Sequence, residues 1–142
     1  MAYTIKMVDV WACDISNRPG TLAQNLKALA EAGASLEFVI ARRVTDDTSR
    51  AFFAPIKGKK QQAAAAQAGL QKAEGMHTLR IEGPDKPGLG ALLTYAIGDA
   101  GINLRGLSAA ALGKRSVCYA AFSTPGDAQN AAKIAKKVLR KL

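Results

Sequence analysis

The stretch NRPGTL, residues 17–22, returns almost unchanged as DKPGLG, residues 85–90. At this offset of 68, Pro19 meets Pro87, Gly20 meets Gly88, Ala23 meets Ala91, Ala32 meets Ala100, Gly33 meets Gly101 and Leu36 meets Leu104, with no gap. Chance is the competing explanation, because Gly and Pro recur in unrelated turns. A match sustained over this distance reads better as two copies of one supersecondary unit, a pseudo-dimer and not a solenoid.

The surroundings of the two stretches read in the same order. In the first copy YTIKMVDVWAC, residues 3–13, is rich in β-branched and aromatic residues and predicts a strand that ends at the turn DISNRPG. Leu22, Leu26 and Leu29 fall at i, i+4 and i+7, which predicts a helix with one apolar stripe, and Gly33 predicts a left-handed C-terminal cap. SLEFVIARRV, residues 35–44, alternates, and DDTS turns it into RAFFAPI to make a hairpin. KKQQAAAAQAGLQKA, residues 59–73, predicts a second helix whose alanines give propensity but a poor apolar stripe, hence shallow packing. The second copy runs through HTLRIE as a strand, the turn GPDKPG, a helix to Ala100 with Leu92 and Ile97 inward, and the strand INLRGLSAAAL. GKR then turns the chain into SVCYAAFS, and TPGDAQNAAKIAKKVLRKL is a final helix with Asp127 in its first turn and cations in its last.

Strand, helix, hairpin, helix, given twice, predicts an α+β fold: a ferredoxin-like (βαββαβ-type) sandwich repeated twice, with antiparallel sheets and helices on one face. The repeats are expected at residues 1–72 and 73–142. Residues 74–83 are too few to supply both a fourth strand and the first strand of the second copy. Either the long first strand serves two sheets or the fourth strand is absent.

Composition narrows the function. With 49% hydrophobic and 22% charged residues, the chain is that of a globular protein and excludes disorder. No apolar run approaches the ~20 residues of a membrane helix, and Lys6, Asp9 and Asp14 interrupt the N-terminal segment, so a cytoplasmic protein with no membrane association is expected. Cys13 and Cys118 sit in apolar stretches without metal-ligand spacing, which predicts buried thiols and no metal site. The net charge of +9 raises a polyanionic partner, but the basic residues are scattered, as on a solvated surface. His77 has no nucleophile or carboxylate at a catalytic spacing, and Asp46 with Asp47 is first a turn signal. No catalytic residue, enzyme activity or cofactor is expected.

The turns themselves suggest a ligand. A strand running through Pro-Gly straight into a helix presents backbone N–H groups with partial positive charge and no side chain in the way, a setting for an anion. The competing reading is a capped turn, in which Asn17 or Asp85 accepts from a helix N–H and nothing binds.

NRPGTLAQNLKALAEAGASLEFV and DKPGLGALLTYAIGDAGINLRGL both resemble the ACT domain, a regulatory module found in aspartokinases and phosphoglycerate dehydrogenases and marked by D/N-x-P-G-x-L, a helix and A-G-I-N. With their flanking strands the two matches extend over nearly all of the chain. The resemblance implies a βαββαβ fold that binds small molecules, commonly amino acids, where ACT units pair. It implies a ligand-binding set of Asn17, Arg18, Pro19, Gly20, Thr21 and Leu22 with Ser35 in the first copy. In the second copy the set is Asp85, Lys86, Pro87, Gly88 and Leu89 with Asn103. With the copies side by side about a pseudo-twofold axis, Asn17 would face Asn103, two amides that donate to a carboxylate and accept from an ammonium, and Asp85 would face Ser35. Asp85 only accepts and repels a carboxylate, so the Asn17 and Asn103 pocket is the expected site. Ile15, Gly83 and Gly90 depart from the family pattern, which argues against serine as the ligand.

By analogy with the family, the resemblance implies a regulatory ligand-binding protein that forms a homodimer and signals to an enzyme or regulator by population shift. The rival is an RNA-binding protein of similar layout. Arg50, Phe52 and Phe53 lie near the place of its base-stacking aromatics, but its glycines are missing, Pro55 interrupts, and aromatics make up only 6%. Phe52 is therefore expected in the core. Nucleic acid is the weaker reading.

Overall fold

The stretch that reads as one long first strand is two, and they belong to different sheets. In a computed structural model, which describes residues 2–16 and 18–142, β1 (Thr4–Val8) and β2 (Trp11–Ser16) are separated by Asp9 and Val10. The elements that follow are α1 (Thr21–Glu31), β3 (Phe38–Arg43), β4 (Thr48–Ala54), α2 (Gly58–Gln67) and β5 (Gln71–Lys72). The second half adds β6 (His77–Pro84), α3 (Leu89–Asp99), β7 (Gly106–Leu112), β8 (Arg115–Phe122) and α4 (Pro125–Leu139).

Two four-stranded antiparallel sheets result, ordered β3-β4-β2-β5 and β1-β6-β8-β7. The compact units are Asp9–Ala73 and Glu74–Leu142, the latter joined by the segment up to Val8. This is the ferredoxin-like sandwich given twice. The first strand serves two sheets, and each fourth strand comes from a different source: β5 completes the N-terminal unit, while β1 pairs antiparallel with β6 and completes the C-terminal unit.

In the N-terminal unit Trp11, Cys13, Leu29, Ala51, Phe53, Ile56, Ala65 and Leu70 form the core. Leu22 and Leu26 pack against it from the predicted stripe of α1. Ala65 is the only fully buried residue of α2, as its alanine-rich composition leads one to expect. Phe53, not Phe52, is the core aromatic: β4 alternates, so Phe53 pairs with Trp11 and Val39 on the helix side while Phe52 faces the other way beneath the Arg50 guanidinium, 5.7 Å from its ring centre.

In the C-terminal unit Leu79 and Ile81 of β6 pair with Ala120 and Cys118 of β8 on the face covered by α3 and α4. The buried stripe of α4 is Ala128, Ala131, Ala135 and Leu139, small residues that let this helix lie close to the sheet. Leu93, not Leu92, is buried with Ile97, the i, i+4 spacing of one helix face.

Helix ends follow local chemistry. Gly33 and Gly101 have φ of +85° and +76° and close Schellman motifs, in which Ala34 donates to Leu29 O at 3.0 Å and Ile102 to Ile97 O at 3.3 Å.

Candidate functional site

The two Pro-Gly turns fold alike and meet different surroundings. In each, a glycine with positive φ is the N-cap residue, Gly20 at +90° and Gly88 at +84°, so no side chain caps the helix from that position. A Cβ at either would meet no atom within 4 Å, so the glycine answers to backbone conformation, which leaves the approach open.

In the N-terminal turn Arg18 Nε donates to Ser16 Oγ at 3.0 Å, and the Thr21 hydroxyl donates to Ser16 O at 3.0 Å and to Arg18 O at 3.1 Å. Asn17, the residue expected to lead this site, lies outside the described residues. Behind the turn, the buried Asn25 donates from Nδ2 to Cys13 Sγ at 3.3 Å. Burial first, and then the Asp14 carboxylate, push the Cys13 thiol up from its usual pKa, although the Asn25 bond opposes them.

In the C-terminal turn Asp85 N–H donates to Lys114 O at 2.8 Å, which ties the turn to the β7–β8 hairpin. Here the space beneath the turn is a cavity of about 280 Å³. Leu89 and Leu93 of α3, Leu107, Ala109 and Ala111 of β7, and Cys118 of β8 give it an apolar lining. Asp85, Lys86 and Gly88 stand at it as well, so most of the expected residues of this turn converge. Pro87 is exposed and is not part of the lining. The hydroxyls of Thr94 and Ser116, also in the lining, already donate to Gly90 O at 2.8 Å and Gly83 O at 3.3 Å. Burial raises the Cys118 thiol to about 11, so it stays neutral at physiological pH.

Ser35 and Asn103, which the sequence places within predicted strands, lie ahead of them. Both are exposed in the segments preceding β3 and β7, which begin at Phe38 and Gly106. Asn103 is absent from the cavity wall. The lining residues Leu93, Leu107, Ala109, Ala111 and Cys118 were not foreseen. The available signal was SAAAL, a strand with small residues where β-branched ones are usual, and thus with room above it.

The helix-free side of the C-terminal sheet carries an ionic cluster. Glu82 accepts from Arg80 and from Arg115, each at 2.8 Å, and Arg80 Nε donates to Tyr119 Oη at 3.2 Å. The Arg115 and Arg80 hydrogen bonds lower the Glu82 pKa to about 2. This cluster joins β6 to β8. On the N-terminal sheet Arg50 bonds Asp14 at 3.3 Å, and Phe52 is half-buried and Phe53 buried, so the paired aromatics that a base-stacking face requires are not displayed there. Among the described residues no group of His, Cys, Asp and Glu is placed to hold a metal ion, and no helix is long and apolar enough to cross a membrane.

No family model matches the sequence, and no curated protein matches it. Solved structures do. The protein BT0572 from Bacteroides thetaiotaomicron superposes with a TM-score of 0.77 at 15% identity, over 93% of this chain and 90% of that one. The ligand-free regulatory subunit of aspartate kinase from Thermus thermophilus gives 0.68 at 16% identity, over 97% of each chain. E. coli aspartokinase III in complex with aspartate and ADP gives 0.62 at 16%, over 99% of this chain but 33% of that one. At such identities the likeness is one of architecture, and the chain has a repeated ferredoxin-like, ACT-type fold.

Proposed function

We propose that this protein is a non-catalytic regulatory module that binds a free amino acid and passes its occupancy to a partner protein. The observation that carries the reading is that the Asp85–Leu89 turn walls a cavity of about 280 Å³, close to the lower end of small-molecule pockets at ~300 Å³. The full-length likeness in fold to a regulatory subunit of aspartate kinase supports it. Through the family pattern alone, we keep Asn17 and Ser35 with the turn of the N-terminal unit and Asn103 with that of the C-terminal unit. Pro19, Gly20 and Pro87 shape its turns. Two free cysteines fit a cytoplasmic location.

A ligand that binds one arrangement of the molecule better than another shifts the population toward it. Association into a homodimer, or contact with an enzyme, then reads that shift. Thermal unfolding of the full chain with each of the twenty amino acids tests this. At ~100 times its Kd a ligand adds about 2.7 kcal/mol, a displacement of several degrees. If no amino acid moves Tm, the proposal fails.

A further inference from the structure

We infer that the C-terminal cavity selects an amino acid with an apolar side chain, and that the equivalent place in the N-terminal unit does not. The inference rests on the reading of the module as an amino-acid binder and adds the class of ligand.

The lining decides the class. Leu89, Leu93, Leu107, Ala109, Ala111 and Cys118 offer a ligand hydrocarbon and one neutral thiol. The nearby hydroxyls of Thr94 and Ser116 already donate to backbone carbonyls. A polar side chain that reaches this apolar part of the wall, away from the donors of the turn, gives up water and finds both hydroxyl hydrogens already engaged, a loss of about 1–3 kcal/mol. An apolar one covers Leu107, a leucine left 44% exposed on β7. The charged residues sit where a free amino acid is charged: Asp85 and Lys86 are exposed at the turn, one of each sign, complementary to an ammonium and a carboxylate.

The comparison within the chain sharpens this. At the offset of 68, Leu93 corresponds to Asn25, Ile81 to Cys13 and Ala111 to Arg43. Asn25 is buried and engaged with Cys13, and Arg43 ends β3 beside its helix-facing row. Leu107 and Ala109 keep apolar counterparts in Val39 and Ala41, so the copies differ at these three positions, polar in one and apolar in the other.

Isothermal titration of the full chain with L-leucine, L-methionine, L-asparagine and L-aspartate, followed by the other amino acids, provides the test. Two variants accompany it: Ala109→Leu, which fills the cavity, and Ala111→Arg, which copies the N-terminal chemistry. Both alter exposed positions, and an unchanged far-UV spectrum confirms folding. The expected result is binding of leucine or methionine, about 10- to 100-fold tighter than asparagine, abolished by Ala109→Leu and weakened at least tenfold by Ala111→Arg. Binding of polar or charged amino acids in place of apolar ones overturns the inference and leaves the regulatory reading standing. Apolar binding untouched by both variants also overturns it, because the site then lies elsewhere. If no amino acid binds, both readings fall together.

Discussion

Gly83 and Tyr3 show how one residue fixes the partner of a strand. A Cβ on Gly83 would collide with one edge of the Tyr3 ring, and the Tyr3 hydroxyl donates to Pro84 O at 2.8 Å. The aromatic thus covers a strand glycine, and the pair joins β1 to β6 in one register. Gly83→Ala is expected to lower stability by about 1–3 kcal/mol through overpacking, and Tyr3→Phe by about 1 kcal/mol, both read from urea midpoints. Glu82 is the residue whose titration matters. Its pKa is about 2 against an ordinary 4.5, so it adds stability above pH 4.5 and loses that contribution as pH falls toward 2. Acid titration of unfolding should therefore be steeper for wild type than for Glu82→Gln across that window. Equal slopes would show that its two arginine bonds contribute nothing to folding.

Among the elements, α4 shows how far local signals reach. Thr124 accepts from Asp127 N–H at 3.1 Å, Pro125 starts the helix, and cations occupy its last turn. Thr124→Ala should cost about 1 kcal/mol in thermal or urea unfolding. Such features were legible because each depends on a few adjacent residues: the Pro-Gly turns, the Schellman glycines and the DDTS and GKR hairpins all lie where the sequence puts them. What depended on distant partners was not legible. Leu92 and Leu93 are adjacent on a helix that is apolar over much of its surface, so the sheet decides which one is buried. Phe52 and Phe53 sit on opposite faces of one strand, and only the position of the helices tells which is the core. The cavity is the same kind of case. SAAAL signals room above its strand, but only the fold shows that Leu93 and Cys118 wall that room beside Ala109 and Ala111.

For the whole molecule, the crossing of β1 into the C-terminal sheet decides what can be cut. Removing residues 1–8 should leave the N-terminal unit intact and open the C-terminal one, because Leu79 and Ile81 then lie on an unprotected edge strand. Hydrogen exchange should lose protection at 77–84 and 115–122 while 11–16 and 48–54 keep theirs. Uniform loss throughout the chain would mean that the two units unfold as one. The same crossing also sets a schedule during synthesis. Thr4 pairs with Glu82, so at ~5–20 residues per second the first strand leaves the ribosome several seconds before its partner exists. Through that interval Tyr3 and Ile5 are apolar residues on an unpaired strand, while the intervening unit can close without them. The growing chain is then most in need of a chaperone after its first half has folded, and slower translation lengthens that exposure.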